Sequence, residues 1–168
     1  MCLWPELTGL NWIPFFSAIG GGLMVVISNV ATTYFAHWMK ERSERRSLAS
    51  AFAGEITGLL EITRRRKYLE TIDGLVQDPI QCFKVPANSE YFKVYANNVG
   101  NLGKLPVPLP MKVACFYARA ESILEDFKNP PEIDDAVAIK AFNQELYVLL
   151  KETMEIGNSI IAELNAVE

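Results

Sequence analysis

The most prominent pattern in the chain is an uninterrupted apolar stretch near its N-terminus. No Asp, Glu, Lys or Arg occurs from Leu7 to Met39. An α-helix rises about 1.5 Å per residue, so about 20 apolar residues cross a hydrocarbon core of about 30 Å. Ile13 to Ala36 supplies that length. The pattern predicts a single transmembrane helix over residues 12–38, a short extracytoplasmic tail over residues 1–11, and one domain over residues 39–168.

A buried core helix and a cleaved signal peptide are weaker interpretations of this stretch. A buried helix of that length would be hard to cover in so small a domain. A cleaved signal peptide normally has a basic region before its apolar core and a cleavage site after it. Here no Lys or Arg precedes the stretch, and a dense basic run follows it. Membrane anchoring is therefore the favoured interpretation.

The charges that follow the stretch indicate its direction. Because basic residues flank a span mainly on its cytoplasmic side, the pattern places the N-terminus outside and the C-terminal domain in the cytoplasm. Trp and Tyr favour the headgroup level at both ends of a span, and basic side chains are expected to contact anionic headgroups. The candidate membrane-association residues are Trp12, Trp38, Lys40, Arg42, Arg45 and Arg46.

Small and polar residues within the predicted span suggest helix–helix contact. Small residues four positions apart let two membrane helices approach closely, and an amide in hydrocarbon favours an interhelical hydrogen bond. The alternative is that such residues are simply common in membrane helices. The candidate contact residues, for a second copy or another membrane protein, are Ser17, Ala18, Gly21, Gly22 and Asn29.

Beyond the span, the apolar residues recur at helical spacing. Leu48, Phe52, Ile56, Leu59 and Thr63 share one helix face. Glu55 and Glu61 are expected to point away from it or sideways, and residues 69–76 to extend the helix. Prolines then separate a second helix from about residue 89, a third after residue 110, and a fourth over about residues 134–167. The pattern predicts an all-α fold: the transmembrane helix and a small antiparallel bundle of about four helices. The heptad-like fourth helix suits packing within the chain or a coiled coil with a second copy.

The charge distribution narrows the class of partner. The formal net charge is −4, but residues 40–67 are net basic and residues 68–168 are net acidic. Nucleic-acid binding requires concentrated Lys and Arg, so an acidic distal domain argues against nucleic acid. The expected partners are a bilayer with anionic headgroups and, through the span, a second copy or another membrane protein.

The side chains that carry chemistry form no recognisable constellation. The only histidine, His37, adjoins Trp38 at the predicted membrane boundary, and the three cysteines show no paired spacing. No phosphate-binding loop, dinucleotide fingerprint or zinc-protease motif occurs. The acidic pairs Glu125/Asp126 and Asp134/Asp135 flank a proline turn, where solvated helix ends are expected. The sequence predicts neither an enzyme nor a cofactor or metal site.

Two stretches, AFAGEITGLLEITRRRKYLE and YFKVYANNVGNLGKLPVPLPMKVACFYARAESILEDF, carry a family resemblance. Together they resemble a family of bacterial single-pass membrane proteins with a helical cytoplasmic domain. The matching features are Glu55-Ile56 after the anchor, Phe92 to Asn97, Leu102 to Pro106, and Phe116-Tyr117. The resemblance implies the anchor-plus-helices architecture, a bacterial or prophage setting and the inner (cytoplasmic) membrane. It implies no activity and no functional residues.

Three functional hypotheses follow from these patterns. The first is a membrane-anchored interaction or scaffold protein without catalytic activity. The second, suggested mainly by the resemblance, is a prophage or mobile-element accessory factor that acts at the envelope in exclusion or defence. The third is an enzyme whose few polar groups converge only in the folded chain, which a polar pocket would reveal.

Overall fold

The fold is entirely helical over the residues that the structure describes. The computed structural model describes the backbone of residues 13–85, 89–132 and 134–167, and the side chains of residues 28–85, 91–132 and 134–167. No strand occurs in these ranges, which confirms the all-α prediction. The five α-helices are α1 (Ile13–Arg65), α2 (Tyr68–Gln77), α3 (Lys93–Asn98), α4 (Leu109–Lys128) and α5 (Ala136–Asn165).

The chain divides into two compact units, the first ending at Ser43 and the second comprising Glu44–Glu168. In the first unit, every side chain described between residues 28 and 41 is exposed. The hydroxyls of Thr32 and Thr33 donate to the carbonyls of Ser28 and Asn29, at 2.7 and 2.8 Å. These polar side chains are therefore satisfied within their own helix, as happens in both aqueous and apolar surroundings.

The transmembrane prediction is not supported by the described helices. Among the residues that the structure describes, no helix is both long enough and apolar enough to cross a lipid bilayer. The described end of the predicted span contains the polar residues Ser28, Asn29, Thr32, Thr33 and His37. The tail over residues 1–11, Trp12, and the side chains of residues 13–27 lie outside what the structure describes.

The second unit begins with the C-terminal part of α1, which turns sharply into α2. Lys67 has a positive φ of 53°, and its amide donates to the Arg64 carbonyl at 3.0 Å. This left-handed residue separates the two helices, so residues 69–76 form a helix of their own. The prediction that residues 69–76 extend the first helix is wrong. The apolar spacing continues beyond Lys67, but the helical backbone is interrupted at that residue.

Residues 78–85 form a connector that two ties hold against the helices. The Asn143 side chain accepts from the Phe83 amide at 3.1 Å and donates to the Gln81 carbonyl at 3.0 Å. The Val85 amide donates to the Phe127 carbonyl at 2.9 Å. Because Asn143 is fully buried, both polar groups of its side chain need such partners.

The second predicted helix is divided into three short pieces. Ser89–Phe92 and Val99–Lys104 are 3-10 helices on either side of α3. Gly100 and Gly103 lie in the 3-10 helix Val99–Lys104. The low α-helix propensity of glycine favours a short 3-10 helix there over a longer α-helix.

The two longest helices of the second unit complete its core. α4 has Pro110 in its first turn, where the missing amide proton costs nothing. α5 is capped by Asp135, whose carboxylate accepts from the Ala138 amide at 3.0 Å, and it packs against α2 and α4. The largest fully buried side chains of the core are Phe52, Ile56, Ile72, Val113, Phe116, Tyr117, Asn143, Ile160 and Leu164.

Candidate functional site

An aromatic and basic band marks the described end of the predicted span. Trp38 is 54% exposed; its ring centroid lies 6.2 Å from that of Phe35, and the Arg42 guanidinium lies 5.4 Å from the Trp38 ring. The His37 imidazole lies 3.4 Å from the Glu41 carboxylate. A cation over an indole ring keeps its charge available to solvent or to an anion. This arrangement can contact phosphate groups and apolar chains at the same time.

The remaining basic candidates lie on the same stretch of α1. Lys40 and Arg46 are exposed, whereas Arg42 and Arg45 are half-buried. The Nε of Arg45 is shielded from solvent and donates to no acceptor among the described residues. A shielded guanidinium donor without an acceptor is unusual, and a phosphate oxygen is one group that could satisfy it.

The candidate helix–helix contacts are described only in part. Asn29 is exposed, and its carbonyl accepts from Thr33. The residues Ser17, Ala18, Gly21 and Gly22 belong to α1, but their side chains lie outside the described part. Helix association through these positions therefore stays a prediction.

The structure brings together a polar hub that the sequence did not predict. The half-buried Glu55 carboxylate accepts from the amides of Val94 and Tyr95 at 2.7 and 3.0 Å, and from the Tyr117 hydroxyl at 2.6 Å. Of the two orientations expected for Glu55, away from the core or sideways, the half-buried carboxylate excludes the first. Its carboxylate is the acceptor for the first amides of α3, which lack partners within their own helix.

The aromatic rings around this hub fix its geometry. The rings of Tyr95 and Tyr117 stack with centroids 4.1 Å apart and an interplanar angle of 14°. Burial and the Glu55 carboxylate raise the pKa of Tyr117 far above its usual range. The hub joins residues from three of the motifs that carry the family resemblance. Its hydrogen-bonding capacity is largely taken up inside the protein, so its role is to hold α3 against α1 and α4.

An apolar cavity of about 90 Å³ lies beside the hub. Its walls come from α1, α2, α4 and α5, and include Leu60, Phe116 and Met154. The hydroxyls of the two threonines in its wall, Thr63 and Thr153, donate back to carbonyls of their own helices. Reactive polar groups therefore do not converge there, and the polar pocket expected of an enzyme is not seen at this cavity.

Local contacts occupy one member of each acidic pair, Glu125 and Asp135, and two cysteines lie in the described part of the chain. Glu125 accepts from the Asn129 side chain at 2.6 Å, and burial is the main cause that raises the pKa of Asp126. Across the residues that the structure describes, no three His, Cys, Asp or Glu side chains group as metal ligands would. Cys82 is half-buried, which raises the pKa of its thiol, and Cys115 is exposed; both are reduced.

The described residues define an all-helical protein whose distinctive surface is apolar and basic. Comparisons with protein-family models, with curated proteins and with solved structures found no match to this chain. The family resemblance therefore depends on the sequence motifs alone.

Proposed function

We propose that the protein is a membrane-anchored helical scaffold without catalytic activity. The observation that carries this proposal is the exposed apolar and aromatic surface of α1. Val30, Tyr34, Phe35, Trp38 and Met39 are each at least half exposed. So many large apolar side chains within one short helical stretch are stabilised when lipid or protein covers them. The uncharged residues before them supply the length for a span, and the basic band after them supplies contacts for anionic headgroups.

The proposed topology follows from the same band. The N-terminus lies outside and the second unit lies in the cytoplasm of a bacterial cell, attached to the inner membrane. The charge asymmetry supports this direction, since Lys40, Arg42, Arg45 and Arg46 all follow the predicted span.

A scaffold role is supported by the second unit's construction. Its central polar groups, Glu55 and Asn143, are used to hold segments of the chain together. Among the described residues, no Ser, Cys, His, Lys, Asp or Glu side chain lines its apolar cavity. A partner would therefore bind to the outer surface of the unit, and residues 68–168 carry a net negative charge.

The decisive experiment measures membrane attachment and direction together. A C-terminal reporter that is active only in the cytoplasm is compared with one active only outside, and the membrane fraction is washed with carbonate. We expect a cytoplasmic signal and carbonate-resistant protein. The variant Val25→Asp/Val26→Asp places two charges near the centre of the span, at about 3 kcal/mol each, and should release the protein from membranes.

A matched control introduces the same two valine-to-aspartate changes on α5, outside the predicted span. Val137 and Val148 lie on α5, at 77% and 46% exposure, so Val137→Asp/Val148→Asp should remain in the membrane fraction. Wild-type protein that carbonate removes would overturn the anchor, and an external signal would overturn its direction.

Self-association through the span is tested separately. Gly21→Ile fills the proposed helix–helix contact and should reduce crosslinked dimer in membranes, because small residues permit close approach. Leu23 follows Gly21 by two positions, about 200° around a helix, so Leu23→Phe adds bulk on the opposite face and serves as the control. Equal crosslinking in wild type and both variants would remove this part of the proposal.

A further inference from the structure

A rigid apolar loop projects from the second unit between the 3-10 helix that ends at Lys104 and the start of α4. Val107 is 91% exposed and Met111 is 65% exposed. Leu105 and Leu109 on either side of Val107 are buried, at 3% and 4% exposure. The loop is therefore fastened at both sides of its most exposed residue.

The backbone of this loop is restrained. The Leu105 amide donates to the Leu102 carbonyl at 3.0 Å, and the Leu109 amide donates to the Pro106 carbonyl at 2.9 Å. Proline at positions 106 and 108 fixes two further backbone angles. Little conformational freedom remains to be lost when Val107 is covered, which favours binding through this residue.

The loop is next to the point where the chain enters the second unit. Lys104 Nζ lies 3.0 Å from the Glu44 carboxylate, and Arg45 and Val107 line the same surface depression. Lys112, in the first turn of α4, pairs with Glu163 at 2.6 Å. Three basic and two acidic side chains thus border an apolar projection, and one of the basic groups, the Arg45 Nε, has no acceptor among the described residues.

We infer that the loop around Val107 and Met111 is a second membrane contact, which docks the unit against the lipid surface. The inference rests on the proposed membrane anchor, since Glu44 and Arg45 follow the predicted span closely in the sequence. The occupant is a bilayer surface with anionic headgroups. Apolar side chains enter the headgroup and acyl boundary, while the Arg45 guanidinium, whose Nε has no acceptor among the described residues, meets phosphate. Interfacial segments use this combination of apolar and basic groups.

The experiment places a fluorescent label at single cysteines in the full chain. The native cysteines are replaced by Ser, and the protein is reconstituted in vesicles of phosphatidylglycerol and phosphatidylcholine. Val107→Cys is compared with Val137→Cys, a valine of similar exposure on α5. Val137 is far from the loop, because it precedes Glu163, the partner of Lys112, by 26 positions, or about 39 Å along α5. Quenching by spin-labelled lipid and by soluble iodide is then measured.

We expect the label at 107 to be quenched several-fold more strongly by spin-labelled lipid than the label at 137, and to be the less accessible to iodide. Equal weak lipid quenching at both positions would overturn the inference. Protection from iodide at 107 without lipid quenching would also overturn it, because a protein or a second copy would then cover the loop.

A third label separates this inference from the proposal on which it rests. Val25→Cys lies within the predicted span, and deep spin-labelled lipid should quench it. Quenching at 25 but not at 107 would leave the anchor in place and remove the docking loop. The absence of quenching at 25 would overturn the anchor and, with it, the loop's assignment. Circular dichroism of each variant verifies that the labelled protein is folded.

Discussion

Replacing Gly157 with Ala should destabilise the second unit, although the same change in most helices is stabilising. Gly157 is buried on the inner face of α5. A methyl group there would lie 2.8 Å from Phe116 Cε2, and 3.2 and 3.3 Å from the two methyl carbons of Leu60. Phe116 and Leu60 are 1% and 4% exposed, so neither can move aside into solvent. The absence of a side chain is what lets α5 approach α1 and α4.

The magnitude combines two opposing effects. Alanine in a helix interior is favoured over glycine by about 1 kcal/mol, and overpacking a core costs about 1–3 kcal/mol. Gly54 on α1 is exposed, and a methyl group there meets nothing within 4 Å. We therefore expect Gly54→Ala to stabilise by about 1 kcal/mol and Gly157→Ala to destabilise by up to about 2 kcal/mol. The difference between the two variants isolates the packing cost.

The assay is urea unfolding of the full chain in mild detergent, followed by circular dichroism at a helical wavelength. The midpoint and slope are fitted for wild type and both variants, because a changed slope would signal loss of two-state behaviour. Equal stabilisation by the two substitutions would refute the close approach of α5 at Gly157.

Three further substitutions probe the interior. Tyr117→Phe should reduce the loss of unfolding free energy at alkaline pH. Burial raises the pKa of Tyr117, so the folded protein keeps a proton that the unfolded chain releases above about pH 10. In urea titrations, the unfolding free energy of the wild type should therefore fall by up to about 1.4 kcal/mol per pH unit above that pH, and that of the variant should fall less. Asn143→Leu should cost about 1–3 kcal/mol by leaving the Phe83 amide without an acceptor, whereas exposed Gln144→Leu should change the urea midpoint little; equal effects would contradict this. Asp126→Asn should raise the melting temperature at pH 7, because the raised pKa of Asp126 means that its ionised form is unfavourable in the folded protein. The gain should vanish below about pH 4, where Asp126 is protonated in both states. A gain that persists at that pH would contradict this explanation.

The helices and much of their buried faces could be predicted from apolar spacing. Leu48, Phe52 and Ile56 are buried as expected, and α4 and α5 begin within two residues of their predicted starts. On α5, however, Leu150, Met154 and Leu164 are buried although they lie outside the heptad-like pattern. Phe142, Leu149 and Ile156, which belong to that pattern, are only half-buried. A helix covered by several neighbours needs a wider apolar face than a two-helix seam, and the number of neighbours is a tertiary property.

The polar interior could not be predicted in the same way. Helical periodicity favours a solvent-facing position for a glutamate, yet the Glu55 carboxylate faces the amides of α3, which need an acceptor. Asn143 is similar, since its partners Gln81 and Phe83 are about 60 positions away. The one available signal was the presence of Glu55, Tyr95 and Tyr117 in the motifs of the resemblance. The transmembrane span and its helix–helix contacts stay predictions.

The short helical pieces between α2 and α4 have a consequence for local unfolding. Of these pieces, α3 contains no buried side chain, and the Glu55 carboxylate holds its first turn. Segments secured by few buried contacts open with a free energy well below that of global unfolding. Amide hydrogen exchange should therefore be slow on α1, α4 and α5 within the second unit and faster on α3. We expect α3 to open and close while the long helices and the loop at Val107 stay in place.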